Sequence, residues 1–151
     1  MTLLVVFVLD AQRYGLDLAA VDRVLPMVAV SPLPKAPGIA LGVVNVRGFV
    51  VPVLDIRRRF GRPPREYGLA AHLVVCRSRR RLLALPVDEV LGVREVDAGA
   101  VRPAETVLPG IEYVTGIVAL PGGLLYIHDL ESFLSLDEER GLAEALGEAR
   151  E

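Results

Sequence analysis

The stretch Gly42–Phe60, GVVNVRGFVVPVLDIRRRF, recurs 74 positions later as Gly116–Leu134, GIVALPGGLLYIHDLESFL, and the two align without a gap. Most aligned pairs place one apolar residue on another, and four pairs are identical: Gly42/Gly116, Val44/Val118, Gly48/Gly122 and Asp55/Asp129. An earlier pair repeats in the same order, because LVVFVL precedes VDRVL in the first copy and LVVCRS precedes VDEVL in the second. We therefore interpret residues 1–66 and 67–136 as two similar halves, followed by a C-terminal segment at 137–151.

The composition is that of a folded globular protein. Of the 151 residues, 52% are apolar and 24% are charged, which suits one domain spanning residues 1–151. A net charge of −2 provides no overall field to attract nucleic acid or an anionic membrane. The single cysteine, Cys76, lies in an apolar run, which favours a buried thiol and a reducing, intracellular compartment. The apolar start Leu3–Leu9 is too short to cross a membrane, so we expect it to be the first strand.

Short runs rich in valine and leucine, bounded by Gly, Pro or Asp, predict an all-β architecture of sandwiches or small barrels. Glycine at Arg47-Gly48 and at Pro121-Gly122-Gly123 predicts two hairpin turns, because such turns need positive φ. The predicted strands are Leu3–Leu9, Tyr14–Leu16, Val24–Val30, Gly42–Val46, Phe49–Leu54, His72–Arg77, Arg81–Pro86, Val90–Glu95, Val114–Leu120 and Leu124–His128.

Helical signals are short until the end of the chain. Three aspartates are expected to cap single turns, since a carboxylate accepts free N–H groups in the first turn. These are Asp17 before a turn through Val21, Asp55 before Ile56–Phe60 and Asp129 before Leu130–Leu134. Ser135 and Glu138 match a capping box and predict a C-terminal helix through about Leu146, after which the last residues should fray. Pro103 and Pro109 argue against helix between Ala98 and Glu112.

The sequence has no motif that predicts catalysis. Nucleophile elbows, phosphate-binding loops, dinucleotide fingerprints and Cys/His metal spacings are all missing, so no catalytic residue, metal or cofactor is predicted. His72 and His128 are far apart and lack ligand spacing, which favours structural roles. The basic runs Arg57–Arg59 and Arg77–Arg81 are interpreted as solvated surface, because nucleic-acid binding would require interleaved aromatic residues.

The turn Asn45-Val46-Arg47-Gly48 is the part of the repeat that the second copy does not share. Gly48 suits the turn itself, and Asn45 can satisfy local backbone groups. A hairpin turn does not need an arginine, and the second copy has Pro121 at the position of Arg47. A guanidinium offers five donors in a planar fork, so Arg47 either braces two lobes or engages a carboxylate on a partner. Both interpretations remain open from the residues alone.

Several pieces of the sequence, in order, resemble the CheW adaptor family of bacterial chemotaxis. They are LDAQRYGLDLAAVDRVL, ALGVVNVRGFVVPVLDIRRRFG, LALPVDEVLGV, VRP and EYVTGIVALPGGLLYIHDLESFL, and together they run from about Leu4 to Leu134. The stretch G-V-x-N-x-R-G-x-x-x-P-V-x-D-[LI] is a specific signature of that family. The pattern V-D-x-V-x-x-V at Val87–Val93 adds independent support.

The resemblance implies two five-stranded SH3-like β-barrels packed around a shared apolar core, with short helices and a C-terminal helix. It implies a non-catalytic, cofactor-free adaptor that links chemoreceptor tips to the regulatory domain of the histidine kinase CheA. Such a protein is cytoplasmic, is associated with receptor arrays at the inner membrane, and neither binds nucleic acid nor inserts into the membrane. Two alternatives are a CheW-like adaptor of a non-flagellar pathway, such as pilus motility, and a small-ligand-binding β-barrel.

The family's functional positions carry over onto this chain. Kinase-binding positions are Val5, Leu18 and Val21, and receptor-binding positions are Gly42, Asn45, Arg47, Leu73, Val90 and Val93. Some relatives have a glutamate at Arg23 that can pair with the turn arginine, so Arg47 needs another partner here, for which Asp22 is the candidate. The apolar segment Val24–Val30 is interpreted as an edge strand or an exposed contact surface.

Overall fold

Residues 1–63 and 66–148 are described by a computed structural model, whose fold is mainly β, as predicted. The helices are α1 (Ile56–Arg59), α2 (Ala104–Val107) and α3 (Leu136–Leu146), and 3-10 turns lie at Leu18–Ala20 and Ala98–Ala100. The strands are β1 (Thr2–Leu9), β2 (Gln12–Asp17), β3 (Val21–Pro26), β4 (Ala40–Val46), β5 (Phe49–Leu54), β6 (His72–Arg77), β7 (Leu82–Val87), β8 (Glu89–Val96), β9 (Arg102–Pro103), β10 (Val114–Leu120) and β11 (Gly123–His128).

The strands form two sheets, and each sheet takes strands from both sequence halves. The six-stranded sheet has the order β8-β1-β2-β11-β10-β9, and the five-stranded sheet has the order β3-β6-β7-β5-β4. The halves interlock through two parallel pairs, Tyr126 opposite Tyr14 and Val53 opposite Ala84, while the other neighbouring strands are antiparallel. Neither half therefore forms a sheet by itself.

The expected barrels correspond to these two sheets, and the strand orders within the described residues do not close into complete barrels. The five-stranded sheet comes closest. After β3 the chain crosses to the opposite edge, where Ser31 and Val43 exchange two backbone hydrogen bonds of 2.9 and 2.8 Å. Gly42 permits this crossing, because a Cβ at its φ of +150° would lie 2.1 Å from the Ser31 carbonyl oxygen.

Apolar residues of the described part of the chain form a shared core, one cluster in each sheet, and a small fourth cluster of Ala104, Val114 and Ile117 between α2 and β10. A shared core lies where the two sheets meet and includes Phe7, Leu16, Val74, Leu85 and, from α3, Leu142. Each sheet also buries its other face in a cluster of its own. These clusters are Val44, Val46, Val51, Val53, Leu73, Val75 and Ala84 in the five-stranded sheet, and Leu4, Val6, Val96, Val118 and Leu125 in the six-stranded sheet. Because both faces of the central strands are buried, they appear as continuous apolar runs in the sequence.

Both predicted hairpins form as two-residue turns. Val46 pairs with Phe49 across Arg47-Gly48, and both turn residues have positive φ, +50° and +88°. Leu120 pairs with Gly123 across Pro121-Gly122, so the second turn is one residue shorter than predicted because Gly123 already belongs to β11.

Three local predictions are wrong. The strand predicted at Val24–Val30 has the wrong bounds, since it spans Val21–Pro26, follows the 3-10 turn directly and pairs with β6, but it is an edge strand as predicted. No helix forms at Leu130–Leu134; Asp129 Oδ1 accepts only the N–H groups of Glu131 and Ser132. A short helix, α2, does form between Pro103 and Pro109, because the prolines flank the helix and leave its hydrogen bond intact.

The C-terminal helix is confirmed. Ser135 caps α3, its side chain accepts the Glu138 N–H, and the Glu138 carboxylate accepts the Ser135 N–H in return. Gly147 ends the helix in the left-handed conformation at φ +70°. The predicted fraying concerns residues 149–151, which lie outside the described residues.

Candidate functional site

The turn between β4 and β5 holds Arg47 in a conformation that costs energy. Its φ of +50° lies in the left-handed region, which side chains other than Gly, Asn and Asp rarely adopt. Asn45 supports the turn as predicted, since its Oδ1 accepts the Gly48 N–H at 2.7 Å. Strain of this kind persists where the surrounding structure holds it and often marks a functional position.

Arg47 lines a groove of about 130 Å³ in which arginines outnumber carboxylates. The candidate partner Asp22 instead pairs with Arg23, at 2.8 Å between Oδ2 and Nε. Within residues 1–63 and 66–148, Arg47 makes no ion pair and no side-chain hydrogen bond. All lining residues lie in or beside strands of the five-stranded sheet, so Arg47 does not brace the two sheets. The lining is Asp22, Arg23, Val46, Arg47, Phe49, Arg77 and Leu82.

Two apolar residues beside Arg47 were missed by the sequence analysis. Phe49 is 67% exposed and Val50 is 62% exposed, although they begin a strand whose remainder is buried. The sequence could have indicated their exposure, because both residues directly follow the turn. Residues at the tip of a hairpin extend beyond the neighbouring strands that would bury them. We name Arg47, Phe49, Val50 and the groove that Arg47 and Phe49 line the hairpin surface.

The other expected receptor-binding residues occupy different environments. Gly42 and Leu73 are buried, Leu73 completely, so their side-chain positions face the protein interior. Val90 is half-buried against the shared core. Val93 is 58% exposed on β8 and lines a separate groove of about 160 Å³ with Leu91, Arg13 and Arg94. The structure brings Asn45 and Arg47 together in one turn but does not bring all six positions into one pocket.

Of the expected kinase-binding residues, Leu18 is the exposed one. It lines an open groove of about 400 Å³ with Met1 and Leu3, which we name the N-terminal surface. Met1 is 78% exposed and Leu3 44% exposed, so this is a cluster of accessible apolar side chains. Val5 is buried in β1, and Val21 packs against the shared core at the start of β3.

The basic run Arg57–Arg59 is solvated only in part. Arg57 is 1% exposed, and its Nε lies 3.0 Å from Asp10 while its Nη2 lies 2.5 Å from Asp88. Its guanidinium also lies 4.2 Å from the centre of the Tyr67 ring. Burial lowers the pKa of Arg57, but the hydrogen bonds to Asp88 and Asp10 outweigh this, so its pKa lies above the ordinary value. The expected surface role is therefore wrong for this residue.

Two further arginines anchor α3 and were also expected at the surface. Arg59 donates to Glu138, and the buried Arg81 donates to Glu139 and Glu148. The remaining members of the two basic runs are exposed, as predicted: Arg58, Arg77, Arg79 and Arg80.

Two buried titratable groups, His128 and Cys76, are neutral near pH 7 because burial shifts their pKa values away from the charged forms. Burial lowers the pKa of His128 to about 4, although Asp129 acts in the opposite direction. Burial also raises the pKa of the Cys76 thiol. In the part of the chain that the structure describes, no group of His, Cys, Asp and Glu has the arrangement of a metal site. No helix among those residues is long and apolar enough to span a bilayer.

The interlocked sheets and their exposed apolar surfaces define a small β protein that works through contacts with other proteins. The chain belongs to the CheW-like domain family, which matches residues 3–138. It is 31% identical over 135 residues to the chemotaxis protein CheW of Klebsiella aerogenes, covering 88% of this chain and 81% of the relative. It is 30% identical to protein FrzA of Myxococcus xanthus over 113 residues, 73% of this chain and 69% of FrzA.

A solved structure supports the same assignment. The crystal structure of the scaffolding protein TtCheW from Thermoanaerobacter tengcongensis is similar at a TM-score of 0.80 and 26% identity, covering 91% of this chain and 94% of TtCheW. The predicted family and the predicted role as an adaptor in chemotaxis signalling are confirmed, and the two alternatives are not favoured.

Proposed function

We propose that the protein is a non-catalytic scaffold that couples chemoreceptors to a CheA-type histidine kinase in the cytoplasm, at receptor arrays on the inner membrane. The observation that carries this proposal is Arg47. It is held at a strained turn, exposed beside two apolar residues, and has no carboxylate partner among the described residues. An arginine kept in that state is suited to a partner's carboxylate.

The hairpin surface is the proposed receptor contact. Phe49 and Val50 supply apolar area, and burying such a side chain contributes about 1.5–3 kcal/mol. Arg47 adds directional, charge-assisted hydrogen bonds that fix the orientation of the partner. The excess of arginine over aspartate in the groove favours a receptor segment that carries a carboxylate near an apolar residue.

The N-terminal surface is the proposed kinase contact. Met1, Leu3 and Leu18 form an accessible apolar cluster on the six-stranded sheet and the 3-10 turn that follows β2. A regulatory domain of the same fold can bury this cluster against its own apolar residues. Val5 and Val21 support the surface through packing rather than by direct contact, since both are largely covered.

Signal transfer then requires that the hairpin surface and the N-terminal surface hold a fixed position relative to each other. The hairpin surface belongs to the five-stranded sheet and the N-terminal surface to the six-stranded sheet. The Arg57 ion pairs join these parts of the molecule, so a change in receptor geometry can reach the kinase as a change in contacts.

Co-sedimentation with receptor-containing membranes and CheA kinase tests the proposal. Wild type is compared with Arg47→Ala and with the control Arg80→Ala, which removes an exposed arginine from the tip of another hairpin. We expect wild type and the control to join the pellet and raise kinase activity, and Arg47→Ala to bind at least ~10-fold more weakly. Equal binding by Arg47→Ala would remove the hairpin surface from the proposal. If wild type fails to associate, the coupling function itself is wrong.

A further inference from the structure

A groove lined by aromatic residues lies at the opposite end of β5 from the Arg47 turn. It encloses about 400 Å³, a volume typical of small-ligand sites. Its residues come from both parts of the molecule: Tyr14 on β2 and Tyr126 on β11 belong to the six-stranded sheet, whereas Phe60 and Arg62 follow α1. The groove shares no lining residue with the hairpin surface or the N-terminal surface.

Three of the four tyrosines of the chain line this groove. Tyr14 and Tyr126 are paired across parallel strands, with ring centres 5.9 Å apart at 78°. Phe60 stacks on Tyr14 at 5.7 Å, and Tyr113 meets the edge of Phe60 at 6.1 Å. Tyr14 is 3% exposed and already stacks with Phe7 and Phe60, so a bound ring would meet the half-buried Tyr113 and Tyr126 instead. Aromatic rings prefer stacked or edge-on neighbours, so these two walls suit a planar ring.

Tyr113 is held at the rim by its backbone. Its φ of +62° is an outlier for a bulky residue, and its carbonyl oxygen accepts the Asp129 N–H at 2.8 Å. That bond ties the segment before β10 to the end of β11. The rim is therefore formed in advance, at a conformational cost.

Arg62 supplies hydrogen-bond donors on the groove lining. Arg59 does not contribute a donor, because its Nη2 donates to both oxygens of Glu138 and its Nε is buried and inaccessible from the groove. Arg62 is exposed, and its Nε lies 3.8 Å from Asp10, beyond hydrogen-bonding distance. Burial raises the pKa of Tyr14 despite the nearby Arg62, so its hydroxyl is neutral and can donate.

The surrounding carboxylates limit the charge that the groove can accept. Glu112 shares the lining, and Asp10 lies beside Arg62. A single negative charge is therefore better matched than the two or three charges of a phosphate. We propose that the groove binds a small planar aromatic monocarboxylate, with its ring against Tyr113 and Tyr126 and its carboxylate at Arg62. The site is an addition to the adaptor role and does not depend on it.

Titration of the full chain with benzoate, followed by two-dimensional NMR, tests this site. Cyclohexanecarboxylate has the same charge without an aromatic ring, and inorganic phosphate has more charge without a ring. Arg62→Ala removes the proposed carboxylate contact. Arg58→Ala is the matched control, because the Arg58 side chain is 43% exposed against 44% for Arg62 and does not line the groove.

We expect saturable benzoate binding with a Kd below about 1 mM and shifts centred on Tyr113 and Tyr126. Binding should weaken at least ~5-fold in Arg62→Ala, remain unchanged in Arg58→Ala, and be weaker for both other probes. The proposal is overturned by non-saturable shifts, by shifts centred elsewhere, by unchanged affinity in Arg62→Ala, or by equal binding of cyclohexanecarboxylate. Retained dispersion of the NMR spectrum shows that each variant is folded.

Discussion

Arg57 Nη2 lies 2.5 Å from Asp88 Oδ1, and this buried ion pair joins the helix after β5 to the connection between β7 and β8. The same carboxylate accepts the Asp10 N–H at 2.8 Å through its other oxygen, so the β1–β2 turn is held by the same group. The bracing role that the sequence left open for Arg47 thus belongs to Arg57. Its counterpart in the second copy is Glu131, so the pair at Arg57 is not repeated.

Replacing Arg57 should destabilise the protein strongly. Arg57→Met keeps the apolar stem of the side chain but removes the guanidinium that pairs with Asp10 and Asp88, and removing one member of a buried pair costs about 3–5 kcal/mol. We expect the free energy of unfolding in urea to fall by about 3 kcal/mol, at the lower end because both aspartates retain some exposure. Arg80→Met, at an exposed arginine whose side chain makes no ion pair or hydrogen bond with the described residues, serves as the control and should change it by about 0.5 kcal/mol or less. Equal effects of the two substitutions would contradict the bracing role.

Gly42 should prove to be required by the fold. A Cβ there would meet the Ser31 carbonyl oxygen at 2.1 Å, and the φ of +150° adds strain, so Gly42→Ala should cost about 3 kcal/mol. In Gly48→Ala the added Cβ would meet no atom within 4 Å, so only the strain of the positive φ remains. We expect this variant to lose about 1 kcal/mol of stability. Thermal unfolding of both variants gives the comparison. A fully stable Gly42→Ala that fails to bind receptor would show that Gly42 acts at the interface instead.

His128 should make stability depend on pH. Burial lowers its folded pKa to about 4, while the unfolded imidazole titrates near its ordinary value of about 6.5. Between these values the unfolded chain binds the proton and the folded chain does not, so stability falls as pH falls. The loss from pH 7 to pH 5 should be about 2 kcal/mol.

Chemical denaturation at both pH values measures this loss. His128→Phe should abolish most of it, because the phenyl ring can pack against Phe60 and Phe133 and carries no proton. Below about pH 4.5 a second decline is expected in both proteins. Burial alone would raise the pKa of Glu138, but the bonds from Arg59 and Ser135 hold that pKa below its ordinary value. An unaltered slope in His128→Phe would assign the pH dependence to other groups.

Leu18→Asp should weaken kinase binding without unfolding the protein. The side chain is 36% exposed, so a carboxylate remains hydrated in the free protein but opposes burial at an apolar interface. We expect binding to the CheA regulatory domain to weaken at least ~10-fold in a calorimetric titration. Leu136→Asp, at an exposed leucine on α3, is the control and should bind as wild type does. A larger loss for the control would move the kinase contact away from the N-terminal surface.

The sequence alone determined the class of fold, most strand positions and the cap of α3. These features depend on neighbouring residues: Val and Leu runs end at turn residues, Ser135 and Glu138 are three positions apart, and Gly48 permits the positive φ of its turn. It also indicated the family, because the Asn45–Gly48 signature is local. The position of Arg47 in an accessible groove agrees with the partner-facing interpretation, although the pairing with Asp22 did not appear.

The tertiary structure decided which residues are exposed and which charges are paired. Arg57, Arg58 and Arg59 are neighbours in one basic run, yet the first is buried by Asp10 and Asp88, the second is exposed, and the third holds α3 through Glu138. Phe49 and Leu73 both lie at the start of a strand, but Leu73 is buried in the core and Phe49 is exposed at the surface. These outcomes depend on carboxylates and strands that lie far away in the sequence, and the local pattern of apolar residues does not indicate such contacts. Burial and ion pairing therefore arise only when the two interlocked sheets assemble.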